Sequence, residues 1–318
     1  MRKGQNPAKF VNQVAKPERI TVAVLNYIPF LSGFYAQTLE VLKTCLNSIW
    51  ENTDLPYDLM VFDNGSCQEA VDFLLAAQDE GRIQYLILSE KNMGKGGAWN
   101  VIFNAAPGEL VAYTDNDAYF YAGWLSKSVR ILEHFPNVGM VTSRPFRTPS
   151  DLYSSTVKWA ETAAGAELER GQFIPWDEFK AFDMSLGTAE DEVRKRYEAT
   201  EDVRIQYNGL TAQAGASHWQ FIANKSVLTQ FLPFSMDRPM GQVRQLDHRM
   251  NDAGLLRLMP VEFLAQNMSN RLDWIHKPED AKPQPSDSKS LRKRVLSIPL
   301  VKRALLGIHD RVFRWYYE

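Results

Sequence analysis

Residues 20–27 read ITVAVLNY and residues 110–117 read LVAYTDND, and each segment is an apolar run that ends in polar residues. Short runs rich in β-branched and aromatic residues, bounded by polar turn residues, predict buried strands. Between the two segments, apolar residues recur at helical spacing and predict a helix of about four turns; they are Leu39, Leu42, Leu46 and Ile49.

The alternation of strands and helices continues outward from these segments. Further strands are predicted at 59–62, 83–88 and 138–142, and helices at 68–79, from 92–97 onward, and at 124–134. Strands that alternate with helices form β-α-β units, so we predict an α/β fold with a mostly parallel sheet and helices on both faces. Ligands of such sheets bind at the carboxyl ends of the strands.

The composition excludes several classes of protein. The 318 residues contain 36 Lys and Arg against 38 Asp and Glu, which gives a net charge of −2, and 45% are hydrophobic. These values exclude a wholly disordered chain and argue against a basic protein that coats nucleic acid. Two cysteines, Cys45 and Cys67, are too few for a disulfide framework and are wrongly spaced for zinc. We therefore expect a reducing, cytoplasmic setting, with no signal peptide and no membrane span.

The pattern divides the chain into three parts. Residues 1–18 form an N-terminal arm, residues 19–277 form the main domain, and residues 278–318 form a linker followed by a helix. Within the main domain, the pattern changes at 145–215, where a helix-prone stretch holds 13 Asp and Glu against 7 Lys and Arg between 151 and 205. Its aromatic residues indicate that this insertion packs onto the sheet.

Polar residues stand where three predicted strands end. Asn26 ends the first strand and Asp63 the second, while Asp115 and Asp117 follow the strand at 110–114. Each residue alone also fits an ordinary turn or helix cap. Two carboxylates two residues apart at a strand exit can hold one divalent cation, and hard oxygen ligands suit Mg²⁺ or Mn²⁺.

A glycine-rich segment opens the helix after residue 92. Residues 92–100 read NMGKGGAWN, which is neither a P-loop nor a G-x-G-x-x-G motif. Glycines at a helix start let backbone N–H groups approach an anion, and Lys95 adds a positive charge. The alternative is a glycine-rich helix entry with a lysine on the surface.

Together these motifs resemble family-2 glycosyltransferases, both in their order and in their spacing. The resemblance covers about residues 19–145 and continues more loosely to about 276, and its motifs are Asn26-Tyr27, Asp63-Asn64-Gly65-Ser66, the segment 92–100 and Asp115-Asn116-Asp117. It implies the GT-A fold, with a Rossmann-like, mostly parallel sheet and an insertion on the acceptor side, to which the sequence pattern adds a C-terminal amphipathic helix. It also implies a nucleoside-diphosphate sugar as donor substrate.

The resemblance assigns roles to single residues of this chain. Contacts with the base and ribose of the donor nucleotide fall to Asn26, Tyr27 and Asp63, and Asn92, Gly94 and Lys95 would line the nucleotide site. Asp115 would approach the ribose and the metal, and Asp117 would be the metal ligand that holds the diphosphate.

The family usually takes its catalytic base from an acidic pair, and this chain departs from that pattern. Gln242 and Val243 stand where the two acids are expected, so Asp247 is the nearest carboxylate and Asp237 the second choice. A helix cap near Arg249 is the alternative role for Asp247.

Two histidines complete the predicted site. His276 would be a further metal ligand, although a structural role beside Trp274 is the alternative. His218 and Trp219 open the segment where the family contacts the acceptor or the donor sugar, and an aromatic face beside a polar group suits a sugar ring.

The C-terminal segment carries a charge of its own. Residues 282–318 hold nine Lys and Arg against three Asp and Glu. From Pro299 onward, apolar residues fall on one side of a helix and basic residues on the other, as in helices that lie on anionic membranes. Packing on the main domain or on a second subunit is the alternative.

The resemblance implies a metal-dependent, inverting glycosyltransferase that transfers a sugar to an acceptor hydroxyl. Cell-surface polysaccharide or glycolipid synthesis at the inner face of the membrane is the expected setting, with a glycan or glycolipid as acceptor. A nucleotide-sugar binding protein without catalysis is one alternative. A nucleotidyltransferase is the other, but the segment after the first strand lacks the glycine-rich basic loop that such enzymes carry there.

Overall fold

The computed structural model describes residues 4–185, 188–238 and 243–272. The predicted C-terminal linker and helix, together with His276, lie outside the described residues. Residues 4–19 precede the first strand and contain one short 3₁₀ helix, Pro7–Phe10. None of the described helices is both long enough and apolar enough to cross a membrane.

The first half of the chain alternates strands and helices as predicted, and it contains one strand, β5, that the sequence pattern did not indicate. Its elements are β1 Ile20–Asn26, α1 Thr38–Asn52, β2 Asp58–Asp63, α2 Gln68–Asp79, β3 Tyr85–Leu88, α3 Gly94–Ala105, β4 Leu110–Asp115, β5 Ala118–Phe120, α4 Trp124–His134 and β6 Val138–Val141.

The second half adds more strands than the sequence pattern indicated. Its elements are α5 Ser154–Thr162, β7 Ala166–Gly171, α6 Trp176–Ser185, α7 Glu190–Ala199, β8 Asp202–Tyr207, β9 Leu210–Ala214, β10 Gln220–Asn224, α8 Lys225–Leu228, α9 Val243–Asp252, β11 Leu256–Met259 and β12 Ala265–Asn267.

One large sheet organises these elements, in the strand order β3-β2-β1-β4-β10-β6-β11-β9-β8-β7. The four strands from β3 to β4 are parallel to one another, β10 runs antiparallel to both β4 and β6, and β6 and β11 are parallel. Strands β7, β8 and β9 extend the far side in antiparallel fashion. A separate pair, β5 and β12, follows the end of β4.

Helices cover both faces of the sheet because side chains alternate along its buried strands. On β1, Val22 and Val24 pack with α1, α2 and α4 on one face, whereas Ala23 and Leu25 pack with α3 on the other. The predicted α/β fold with helices on both faces is confirmed.

The insertion at 145–215 combines helices with a β-sheet extension. The sequence pattern predicted its helices but missed β7, β8 and β9, because β7 reads AELERG and leaves most of its residues at least partly exposed. A strand of this kind at the sheet edge carries charged side chains that mask the alternation of a half-buried strand.

A buried ion pair holds the two ends of this insertion together. Asp202 is 2% exposed, and its two carboxylate oxygens accept from Arg147 Nε at 2.8 Å and Arg147 Nη2 at 3.0 Å. Asp202 Oδ2 also accepts from the backbone N–H groups of Phe173 and Ile174 at 2.8 and 2.9 Å. Loss of this carboxylate would leave both the guanidinium and the two N–H groups uncompensated.

We expect Asp202→Ala to lower the free energy of unfolding by about 3–5 kcal/mol, the usual cost of breaking a buried pair on one side. Urea denaturation measures the change. Glu201→Ala, which removes an exposed neighbouring carboxylate, should stay within about 0.5 kcal/mol of the parent. Equal effects of the two substitutions would contradict a structural role for the pair.

Candidate functional site

Asn26 joins three segments at the carboxyl edge of the parallel strands. Its side chain is fully buried, and the register places Asn26 opposite Asp63. The Asn26 Nδ2 donates to Asp63 Oδ1 at 2.7 Å and to Ser66 Oγ at 3.0 Å, while Asn26 Oδ1 accepts from Asn116 Nδ2 at 2.6 Å. The predicted donor residues Asn26 and Asp63 therefore lie together, beside the loop after β4.

The turn after β2 positions the start of α3. Asn64 Oδ1 accepts from the Met93 N–H at 2.9 Å, and Asn64 Nδ2 donates to Asn92 Oδ1 at 2.9 Å. Asn92 Oδ1 in turn accepts from the Gly94 N–H at 2.8 Å. Gly65 permits this approach, since it has a φ of +85° and a Cβ there would lie 3.0 Å from the Asn92 nitrogen. Asn92 and Gly94 are thus fixed next to Asp63.

Close packing accounts for one glycine of the 92–100 segment. A Cβ on Gly96 would lie 2.5 Å from the Ser235 carbonyl oxygen, so Gly96 lets the chain after α8 pack against α3. The glycine-rich pattern predicts the approach of an anion, and this close packing is a second reason for glycine at position 96.

Asp115 accepts hydrogen bonds from two neighbouring side chains. Lys95 Nζ donates to Asp115 Oδ2 at 2.6 Å, and the Tyr113 hydroxyl donates to Asp115 Oδ1 at 2.6 Å. Burial, followed by the charge of Asp115, raises the pKa of Tyr113 well above its ordinary value, so the phenol stays protonated and remains a donor. Lys95 also lies 5.6 Å from the Trp99 ring centroid, which limits where its ammonium group can move.

Asp117 lacks such partners. Its Oδ1 is buried and has no hydrogen-bond partner among the described residues. Burial, followed by the charge of Asp115, raises the pKa of Asp117 from 3.8 to about 7, while Lys95 and a hydrogen bond with Asn267 act in the opposite direction. The carboxylate is therefore short of positive charge and of donors.

A divalent cation fits this arrangement chemically. Asp115 and Asp117 are hard oxygen ligands of the kind that Mg²⁺ and Mn²⁺ take, and the unpartnered Oδ1 of Asp117 is a free ligand atom. Among the described residues, no group of three or more His, Cys, Asp or Glu side chains gathers to hold a metal. The residues present would thus supply one or two ligands, and phosphate oxygens and water suit the other positions.

Three further predicted site residues differ in how deeply they are buried. Trp219 is 8% exposed, and its backbone oxygen accepts from the Asp115 N–H at 2.9 Å, so it adjoins the end of β4. Tyr27 is half-buried directly after β1. Asp237 is exposed and hydrogen-bonded to Ser235.

Asp247 is buried in a network that the sequence did not indicate. It is 2% exposed, its Oδ1 accepts from Arg257 Nη2, and its Oδ2 lies 2.6 Å from His218 Nδ1. Arg257 is fully buried on β11 and also donates to the Ala216 carbonyl oxygen at 2.7 Å. A single arginine within the apolar run LRLM was the signal that could have revealed a buried partner for Asp247.

Asn116 and Tyr113 are further site residues without a sequence assignment. Asn116 orients Asn26, and Tyr113 donates to Asp115. Both belong to the 110–117 segment, so their nearness to the acids was visible, but their direction was not.

Comparison with known proteins places these residues in context. The model described as glycosyl transferase family 2 matches residues 34–184. An uncharacterized glycosyltransferase of Nostoc sp. strain PCC 7120 is 28% identical over 123 residues, which are 39% of this chain and 35% of that protein. The chain therefore spans about a third of the length of that curated relative.

Two solved structures are similar in part. The mannosyltransferase PcManGT of Pyrobaculum calidifontis, in complex with GDP-Man and Mn²⁺, is 18% identical with a TM-score of 0.46, and the match covers 77% of this chain and 55% of that one. S. aureus TarS 1–349, in complex with UDP-GlcNAc, is 13% identical with a TM-score of 0.46, and the match covers 79% and 61%.

We expect Asp117→Asn to remove a loss of stability that the metal-free parent undergoes as the pH rises. A folded-state pKa raised from 3.8 to about 7 means that the folded chain holds this proton more tightly than the unfolded chain. The protonated Asp117 therefore contributes to the free energy of unfolding below about pH 4, and this contribution is lost as the pH rises through about 7. An amide at this position does not lose a proton, so the variant does not show this decline.

Urea denaturation in the presence of a chelator, at about pH 5 and about pH 8, measures the difference. The variant should gain stability relative to the parent at the higher pH. Asp79→Asn, which neutralises an exposed carboxylate at the end of α2, should change stability equally at both pH values. A parallel pH dependence of the parent and Asp117→Asn would contradict the prediction.

Proposed function

We propose a metal-dependent transfer of a sugar from a nucleoside-diphosphate sugar to an acceptor hydroxyl, and the match of residues 34–184 to the model described as glycosyl transferase family 2 is its premise. The observation that carries the proposal is the buried Oδ1 of Asp117, which has no hydrogen-bond partner among the described residues. It lies beside a second carboxylate at the carboxyl end of β4, which is the edge where α/β sheets bind their ligands.

The neighbouring strand ends support a nucleotide at this edge. Asn26 and Asp63 end the two strands on one side of β4, and they are 0% and 1% exposed with their side chains bonded to each other and to Ser66. They would therefore shape the loops around a nucleotide rather than contact it. Lys95 contributes a positive charge beside Asp115, which matches the anionic part of a nucleoside diphosphate.

The reaction requires stabilisation of the leaving group. As the bond between the sugar and the diphosphate breaks, negative charge develops on the phosphate oxygens, and a bound divalent cation would stabilise that charge as a Lewis acid. Asp117 and Asp115 would hold the cation. Lys95 would lie near the same phosphates, and its salt bridge with Asp115 keeps its ammonium group at this edge.

We expect Asp117→Ala to abolish the metal dependence of nucleotide binding. The parent should bind UDP or GDP more tightly in Mn²⁺ than in a chelator, because the cation that would link Asp117 to the phosphates is then present. The variant should lose more than about tenfold in affinity in Mn²⁺, which corresponds to about 1.4 kcal/mol.

Isothermal titration calorimetry with UDP and with GDP, in Mn²⁺ and in chelator, measures both effects. Asp79→Ala removes an exposed carboxylate at the end of α2 and serves as the matched control. If Asp117→Ala binds either nucleotide with metal as tightly as the parent does, the assignment of the metal site is wrong.

We also propose that the transfer inverts the configuration of the sugar, by attack of the acceptor hydroxyl from the face opposite the diphosphate. A base on the acceptor side is needed to take the hydroxyl proton. Nuclear magnetic resonance of the product linkage would establish the stereochemistry.

A membrane-associated acceptor, as in cell-surface polysaccharide or glycolipid synthesis, is the proposed setting. The proposal rests on the basic segment 282–318 and its nine Lys and Arg. Each basic side chain near an anionic surface contributes about 1 kcal/mol of attraction.

We expect the full chain to float with vesicles that contain anionic phospholipid, but not with neutral phosphatidylcholine vesicles, at physiological salt. Replacing four basic residues by glutamine should abolish the flotation; they are Lys302, Arg303, Arg311 and Arg314. Lack of flotation of the parent with anionic vesicles would exclude this setting for the segment.

A further inference from the structure

His218 lies at the same sheet edge as the two acids after β4. The register of β10 against β4 pairs Gln220 with Thr114, and the Trp219 carbonyl oxygen accepts from the Asp115 N–H at 2.9 Å. His218 directly precedes these two residues. Its side chain is 24% exposed, so part of the imidazole can be reached from solvent.

The other end of the imidazole is fixed by a buried carboxylate. His218 Nδ1 lies 2.6 Å from Asp247 Oδ2, and Asp247 Oδ1 pairs with Arg257. The side chains of Asp247 and Arg257 are 3% and 0% exposed. An ionised carboxylate only accepts hydrogen bonds, so His218 Nδ1 carries the hydrogen and, in the neutral ring, Nε2 holds a lone pair.

This lone pair is not used within the fold. His218 Nε2 has no hydrogen bond to any residue that the structure describes, and the partly exposed ring leaves it accessible. By contrast, Asp247 is 2% exposed and both of its oxygens are engaged. A hydroxyl group approaching from solvent can meet His218 but not Asp247.

The backbone around His218 is held in place by several hydrogen bonds. Thr142 Oγ1 accepts from the Ser217 N–H at 2.8 Å, and the Ser143 N–H donates to Gln220 Oε1 at 2.7 Å. Arg257 donates to the Ala216 carbonyl oxygen at 2.7 Å. The loop that carries the histidine is thus tied to β6 and β11 on both sides, which favours one orientation of the ring.

We propose that His218 is the general base that deprotonates the acceptor, and that Asp247 is a positioning residue that orients its ring. The proposal rests on the proposed glycosyl transfer and replaces the acidic pair that the sequence lacks at Gln242 and Val243. Arg257 pairs with one oxygen of Asp247, and the other oxygen of Asp247 faces Nδ1 and keeps the hydrogen of the imidazole there.

The step balances in protons and electrons. The acceptor oxygen forms a bond to the anomeric carbon while its proton passes to His218 Nε2. The bond from that carbon to the diphosphate oxygen breaks, and its electron pair leaves with the nucleoside diphosphate. The imidazolium formed is stabilised by Asp247 and afterwards releases its proton to water.

His218→Ala tests the role without removing the buried ion pair. The assay follows release of UDP or GDP from UDP-glucose, UDP-GlcNAc and GDP-mannose in Mn²⁺, with water or simple alkyl glycosides as acceptors. We expect kcat to fall roughly 10²–10⁴-fold, the usual contribution of a general base. The Kd for UDP or GDP should stay unchanged, and added imidazole should restore part of kcat.

Two further variants accompany it. His248→Ala removes the exposed histidine next to Asp247 on α9 and should retain the kcat of the parent. Asp247→Asn should lower kcat with little change in nucleotide affinity, because an amide can donate to Nδ1 and so favours the wrong tautomer. Circular dichroism shows whether each variant is folded. If Asp247→Asn is unfolded, the test relies on His218→Ala alone.

The outcomes separate this inference from the proposed function. If the parent releases nucleotide and His218→Ala does so within about threefold of it, far short of the loss expected for a general base, the role of His218 is wrong and the proposed function stands. The role is also wrong if His218→Ala weakens nucleotide binding as much as turnover and imidazole restores nothing. If the parent neither binds nor cleaves any donor, both proposals are wrong.

Discussion

The parallel pairing of β1 with β2 on one side and β4 on the other determines what the rest of this molecule can do. The register sets Asn26 beside Asp63 and Leu25 beside Asp115, so three strands end at one edge. Chain segments separated by tens of residues thereby present their polar ends together. A buried sheet with both faces covered leaves its strand ends as the place where polar groups can meet a ligand.

At this edge Asp115 and Asp117 differ in their hydrogen-bond partners. Asp115 accepts from a lysine and a tyrosine hydroxyl, whereas one buried oxygen of Asp117 has no partner in the part of the chain that the structure describes. Burial of an unpaired carboxylate is unfavourable, and the raised pKa of Asp117 reflects this. An arrangement that stabilises one acid and leaves its neighbour uncompensated favours a bound cation more than a structural role for both.

Around Asp247, by contrast, the buried charges compensate one another. Asp247 and Arg257 neutralise each other in the interior, and the remaining oxygen of Asp247 is directed to His218. Here both oxygens of the buried Asp247 have partners. Among the described residues, the lone pair without a partner is that of Nε2 on the partly exposed imidazole of His218. In the proposed roles, the same residue type would serve as a metal ligand at one place and as an orienting group at another, because its surroundings differ.

The sequence by itself determined the strand and helix order from residue 20 to 141, apart from the short strand β5, and the identity of the polar residues at the strand ends, because burial imposes a period that can be read locally. It did not determine β7, whose edge position replaces that period with charge, nor β8 and β9, nor the packing role of Gly96 against Ser235. Above all, the contact between His218 and Asp247, 29 residues apart, and the pairing of Asp247 with Arg257 were decided only by the tertiary structure. Periodicity reports which face of an element is buried, but the partner of a buried charge is set by how distant elements pack.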